Sequence, residues 1–135
     1  MGIFTRFKDI VASNISAMLD KAEDPEKLIK LMIREMEDTL IELKSSCATA
    51  IANQKKVDRL LDDIRDKEEF WVKKAELAVN KGKDNLARQA LAEKRIYTQK
   101  AQTVDMEAME LQTIVEQYQD DIQELEEKLQ SAREK

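Results

Sequence analysis

Two seven-residue repeats run through this chain and mirror each other about one glycine. Stepping alternately four and three residues, the series Ile29, Ile33, Met36, Leu40, Leu43, Cys47, Ala50, Gln54, Val57, Leu61, Ile64, Glu68, Trp71, Ala75, Ala78 is apolar at thirteen of fifteen positions. Beyond Gly82, the series Ala87, Ala90, Lys94, Tyr97, Ala101, Val104, Ala108, Leu111, Val115, Tyr118, Ile122, Leu125, Leu129, Ala132 is apolar at thirteen of fourteen. Folded at Gly82, the stripes face each other in pairs whose numbers sum to 165, such as Leu61 with Val104 and Leu43 with Ile122. A sustained four-three spacing is the seam of a coiled coil. The sequence therefore predicts an all-α fold: a long antiparallel two-helix coiled-coil hairpin over 25–135, tip near 82, preceded by a short amphipathic helix over 1–22. The predicted seam centres on Leu40, Leu43, Leu61, Ile64, Trp71, Tyr97, Val104, Tyr118, Ile122 and Leu125. Its polar members either pin the register, with Glu68 in diagonal reach of Lys94 for an ion pair and Lys94 opposite Trp71 for a cation-π contact, or simply extend their long side chains to water.

Composition narrows the function. With two glycines, one proline and 38% charged residues in 135, few residues are left for loops. His is absent and Cys47 is the single cysteine, so zinc clusters, disulfide frameworks and His-based acid/base chemistry are excluded. The reading is of a protein that is not an enzyme, with no catalytic residue, no metal and no cofactor. Cys47 and Trp71 read as seam residues and not as a reactive thiol or a stacking platform. No apolar run approaches the roughly 18 residues that span a bilayer, and no signal peptide is visible, which places the chain in the cytoplasm. A net charge of -5 argues against direct nucleic-acid binding.

The segment before Glu23 carries the strongest functional signal. On a helical wheel, Ile3, Phe4, Phe7, Ile10, Val11, Ile15, Met18 and Leu19 share one half, and Arg6, Asp9, Ser13, Ser16 and Asp20 the other. Alone in water such a short helix is expected to be largely unfolded, ordering when it meets a membrane surface or a protein groove. The alternative is that it packs back on the hairpin as a third helix. Asp24 is a candidate N-cap with Pro25 at the first helical position, Gly82 supplies the left-handed stop, and Asp84 or Asn85 is a candidate cap for the return helix. The stretch from Leu28 to Leu43 is more apolar than one seam needs, through Leu28, Leu31, Met32 and Ile41. Its partner is the N-terminal helix, a neighbouring copy or the bilayer.

Charge is polarised along the chain. Residues 73–95 hold seven basic residues against three acidic ones, and residues 105–135 hold ten acidic against three basic. Lys81, Lys83 and Arg88 are thus candidate assembly contacts, tip against base, unless the charges merely solvate the surface.

Two blocks, MGIFTRFKDIVASNISAMLDKAEDPEKLIKLMIREMEDTL at the start and WVKKAELAVNKGKDNLARQALAEK at the tip, closely resemble the phage shock protein A family, bacterial relatives of the ESCRT-III membrane-remodelling proteins. The resemblance implies a peripheral protein on the cytoplasmic face of the inner membrane that supports stressed bilayers. It also implies a regulator that binds and inhibits an AAA+ transcription activator through the hairpin. Carried over to this chain, the membrane role falls on Phe4, Phe7, Ile10, Val11, Ile15, Met18 and Leu19, facing anionic or packing-defective lipid, with Pro25 as the break between two lipid-facing segments. Relatives continue with further helices that complete polymer contacts, so this chain reads as a truncated N-terminal fragment. Self-association belongs to the full-length family and is in doubt at this length. The competing reading is a structural polymer subunit that coats and remodels membranes.

Overall fold

Helix punctuation in the sequence is reproduced in a computed structural model, which describes residues 2–134 and, for Phe4, the backbone alone. Four helices follow in order: α1 (Ile3–Ala12), α2 (Ile15–Lys21), α3 (Pro25–Asn80) and α4 (Asp84–Arg133). No strand occurs among the described residues. The fold is a helical hairpin of α3 and α4 preceded by the short N-terminal helices.

Local chemistry sets each boundary. Asp24 Oδ1 accepts from the Lys27 amide at 3.2 Å, so Asp24 caps α3 with Pro25 at its first position. At the other end Gly82 takes φ 72°. Its amide bonds Val79 O at 3.0 Å while the Lys83 amide reaches back to Ala78 O at 2.8 Å, the paired closure of a Schellman motif. Asp84 lies inside the first turn of α4 and not at its cap position, where its carboxylate still faces the positive end of the helix dipole.

The N-terminal segment differs from the single helix expected over 1–22: it breaks at Ser13–Asn14. Ser13 Oγ donates to Ile10 O at 2.6 Å and Asn14 Oδ1 accepts from the Ala17 amide at 3.1 Å. Both side chains thus compete for backbone groups that a continuous helix would pair, ending one helix and capping the next.

The chain forms two compact units, residues 1–50 with 114–135 and residues 51–113. In the first, Met36, Leu43, Leu125, Leu129 and Ala132 form the buried core, with Leu40, Tyr118 and Ile122 packed against it. In the second, Leu61, Ile64 and Val104 are buried together, flanked by Val57, Tyr97 and Ala101. Every buried apolar residue of α3 and α4 belongs to the two seam series. With the seam at heptad positions a and d, the cross-helix ion pairs Glu37–Arg133 (3.5 Å), Lys44–Glu126 (3.5 Å) and Arg65–Asp105 (3.8 Å) all join e positions. In an antiparallel pair e faces e and g faces g, so these pairs report the predicted register.

The polar pin is arranged differently from the expectation. Glu68 accepts a hydrogen bond from the Thr98 hydroxyl and is not joined to Lys94. The cation-π contacts fall on other rings: Lys67 and Lys100 stand 5.8 and 5.1 Å from the Tyr97 centroid, and Lys74 stands 5.4 Å from that of Phe70. Trp71 meets Phe70 edge to face, centroids 5.2 Å apart. A hydroxyl one residue beyond Tyr97 reaches the carboxylate without the stretched, entropically costly side chain that Lys94 would need.

Candidate functional site

Heptad position g lies beside the seam, and in the first unit it carries Met32 and Thr39 on α3 with Asp121 and Lys128 on α4. A two-helix hairpin leaves such a flank open to water. Here Thr39 and Asp121 are nonetheless buried, at 0% and 5% exposure, because α1 and α2 lie along this flank. Phe7 and Ile15 are buried in one cluster with Met36, Leu43, Leu125 and Leu129, and Ile3, Ile10, Val11 and Leu19 pack against it. The alternative of a third packed layer is therefore the one adopted. The groove that orders the amphipathic segment belongs to its own hairpin.

That docking takes up one of the four surplus apolar residues between Leu28 and Leu43, Met32. Ile29, Met32, Ile33 and Leu40 pack against the cluster that holds Phe7 and Ile15. Leu31 and Ile41 remain on the outside, 53% and 67% exposed. Burial of Phe7 and Ile15 alone contributes about 3–6 kcal/mol at about 1.5–3 per large apolar side chain.

Polar contacts close both edges of the segment. On the α3 side Arg6 pairs with Glu42 and, at 4.0 Å, with Glu35. On the α4 side Lys128 Nζ donates to Val11 O at 2.6 Å and to Ser13 O at 2.5 Å. These carbonyls lie at the C-terminal end of α1, where backbone acceptors lack helical partners and the helix dipole attracts a cation. Burial pushes the Lys128 ammonium below the ordinary lysine pKa, against an opposing pull from the Glu124 carboxylate. Asp121 Oδ1 accepts from Gln117 Nε2 at 2.8 Å, and Thr39 Oγ1 has no partner.

The residues assigned to lipid thus have these places: Phe7 and Ile15 are buried, Ile10, Val11 and Leu19 half-buried, and Met18 is 41% exposed. Phe4, assigned with them, lies outside the described side chains. Among the seam residues, Leu43, Leu61, Ile64, Val104 and Leu125 are buried, and Leu40, Trp71, Tyr97, Tyr118 and Ile122 half-buried. Cys47 is buried with a free thiol. Lys81, Lys83 and Arg88 are exposed, the two lysines lining an apolar groove with Trp71, Leu77, Ala78 and Leu86. Sequence reasoning missed Arg6, Thr39, Asp121 and Lys128 as parts of one arrangement. Only the shared g position of the last three marks them, and that pattern does not say what covers the flank.

A helical hairpin with an amphipathic segment laid along its flank defines an all-α protein of the coiled-coil hairpin class. Residues 2–135 match the model of the PspA/IM30 family, and the chain belongs to that family. It is 38% identical over its whole length to the membrane-associated protein Vipp1 of Nostoc punctiforme, covering 52% of that protein. It is 32% identical to the Synechocystis Vipp1, again along the whole chain and 51% of the relative. With the phage shock protein A homolog of Deinococcus radiodurans, 129 residues align at 30% identity, 96% of this chain and 58% of the other. The chain spans about half the length of these curated relatives. No helix among the described residues is long and apolar enough to cross a membrane.

Proposed function

We propose that this chain is a membrane-stress effector and negative regulator: its hairpin binds and inhibits an AAA+ transcription activator, and its N-terminal segment engages the cytoplasmic face of the inner membrane. The observation that carries the membrane half is the apolar face of α1 and α2, formed by Phe7, Ile10, Val11, Ile15 and Leu19 on a segment joined to α3 through only Ala22–Asp24. Relatives named membrane-associated support it. The inhibitory half rests on the family resemblance and on the relative named a phage shock protein A homolog. Both activities meet in one molecule if lipid and activator favour different states of the segment, since a ligand shifts an equilibrium only by its differential affinity.

Val11→Glu with Leu19→Glu tests the division of labour. Each charge would enter the apolar face, where burial is costly, and neither position belongs to the seam. Vesicle co-sedimentation is expected to fall to background while the hairpin's helicity and inhibition of the activator's ATP hydrolysis persist. Retained lipid binding would place insertion elsewhere, and loss of inhibition would put the segment in the activator interface.

A second reading, a polymer subunit that coats membranes, is favoured by the lysine-rimmed groove at the tip. Leu77 and Leu86 stand 49% and 50% exposed there beside Lys74, Lys81 and Lys83. The groove's charge complements the acidic 105–135 segment of another copy.

A further inference from the structure

The contacts that hold α1 and α2 differ in what becomes of them when the segment leaves the hairpin. Phe7, Ile10, Val11, Ile15 and Leu19 face the hairpin cluster in the docked state, and the same face would enter lipid. The two placements exclude each other. Because both bury the same apolar surface, that contribution largely cancels in the difference between them, and contacts made in only one state decide the balance.

Lys128 is such a contact. Its ammonium bonds Val11 O and Ser13 O from α4, and once the segment departs it has nothing on α1 to hold. Arg6 behaves differently. Its guanidinium lies on Glu42 and Glu35 in the docked state, and it travels with the segment to a surface where phosphates also present two anionic oxygens that accept bidentate hydrogen bonds.

We propose that Lys128 and Arg6 latch the N-terminal segment in an autoinhibited, lipid-unavailable state, and that opening transfers Arg6 from the Glu35 and Glu42 carboxylates to the phosphate of an anionic lipid. The inference rests on the reading of α1 and α2 as the membrane element. It adds the residues that keep that element away from the bilayer and the headgroup chemistry that draws it off. Lys128 stabilises the closed state alone, whereas Arg6 stabilises both. Their removal therefore has different consequences.

The test uses the whole chain with Cys47→Ala and spin labels at Ala12→Cys and Ser131→Cys, both exposed positions of the first unit. Distances are measured without lipid, and binding is measured on vesicles of phosphatidylcholine alone or mixed with phosphatidylglycerol. Lys128→Gln is expected to lengthen the distance distribution and to tighten binding to the mixed vesicles about five- to tenfold, the net worth of one intramolecular hydrogen bond. Arg6→Gln is expected to lengthen the distances as well but to gain no affinity for the mixed vesicles. A short bismaleimide joining Ser13→Cys to Lys128→Cys is expected to abolish binding. Unchanged distances in Lys128→Gln overturn the latch. Lengthened distances with parental binding overturn the autoinhibition, and a gain in Arg6→Gln equal to that in Lys128→Gln overturns the phosphate transfer. If the parent and every variant leave both vesicles untouched while distances lengthen, the membrane reading fails and takes the lipid half of the proposal with it.

Discussion

A lysine whose ammonium touches two backbone carbonyls is held in a drier place than its neighbours, and titration should show it. Lys128 loses its proton below the ordinary lysine range because burial disfavours the charge more than Glu124 favours it. The docked state then binds fewer protons than the released one between the two pKa values, so raising pH through that alkaline window favours docking. Nζ-detected NMR should place Lys128 below the other lysines, and Val11→Glu with Leu19→Glu should return it to their range. Gly82 makes a second case. A Cβ there would meet nothing within 4 Å, so Gly82→Ala is a pure test of the positive φ and should cost about 1–2 kcal/mol in chemical denaturation. Thr39 runs the other way: its buried hydroxyl has no partner, and Thr39→Val should raise the melting temperature by removing an unmet desolvation cost of about 1–3 kcal/mol. The role of Gly82 was legible from the sequence because a lone glycine between two heptad series has few other uses. Thr39 and Lys128 carried no such mark, since nothing about a g position says whether water or a helix lies on it.

Elements are legible in the sequence where period and punctuation agree. The two seams define α3 and α4, and small residues set opposite large ones, as in Cys47 with Tyr118 and Ile64 with Ala101, leave one register that packs well. Cysteines at Leu61 and Val104, with Cys47 replaced, should accordingly crosslink within one chain; crosslinks between chains alone would indicate an intermolecular pairing. Leu43 and Leu125 are both fully buried, and either substitution to Ala should cost about 2–5 kcal/mol. The N-terminal segment is less legible. Its wheel is so regular that one helix over 1–22 satisfies it, yet Ser13 and Asn14 turn their side chains onto the backbone and split it. Asn14 before Ile15 is an N-cap signal in its own right. The amphipathic periodicity outweighed it because the wheel sums over many residues and a cap is one.

At the scale of the whole molecule, charge bears on how copies meet. If the basic tip and acidic base attract, reversing Lys81, Lys83 and Arg88 to Glu should lower the sedimentation-average mass, and added salt should lower the parent's by screening. An equal mass in both tests would assign these charges to solvation. What the sequence determined by itself is the hairpin: heptad spacing, the Asp24–Pro25 start and the Gly82 stop are local or periodic signals, each readable within a few turns of helix. What only the tertiary structure decided is where the amphipathic segment goes. An apolar face asks for burial without naming the surface, because the hydrophobic effect is non-directional and a bilayer, a partner or the chain's own flank would satisfy it. The choice falls to directional contacts, Arg6 with Glu42 and Lys128 with the carbonyls of Val11 and Ser13. Those contacts join residues more than thirty and more than a hundred positions apart, and they exist only once α3 and α4 have paired to form the groove between them.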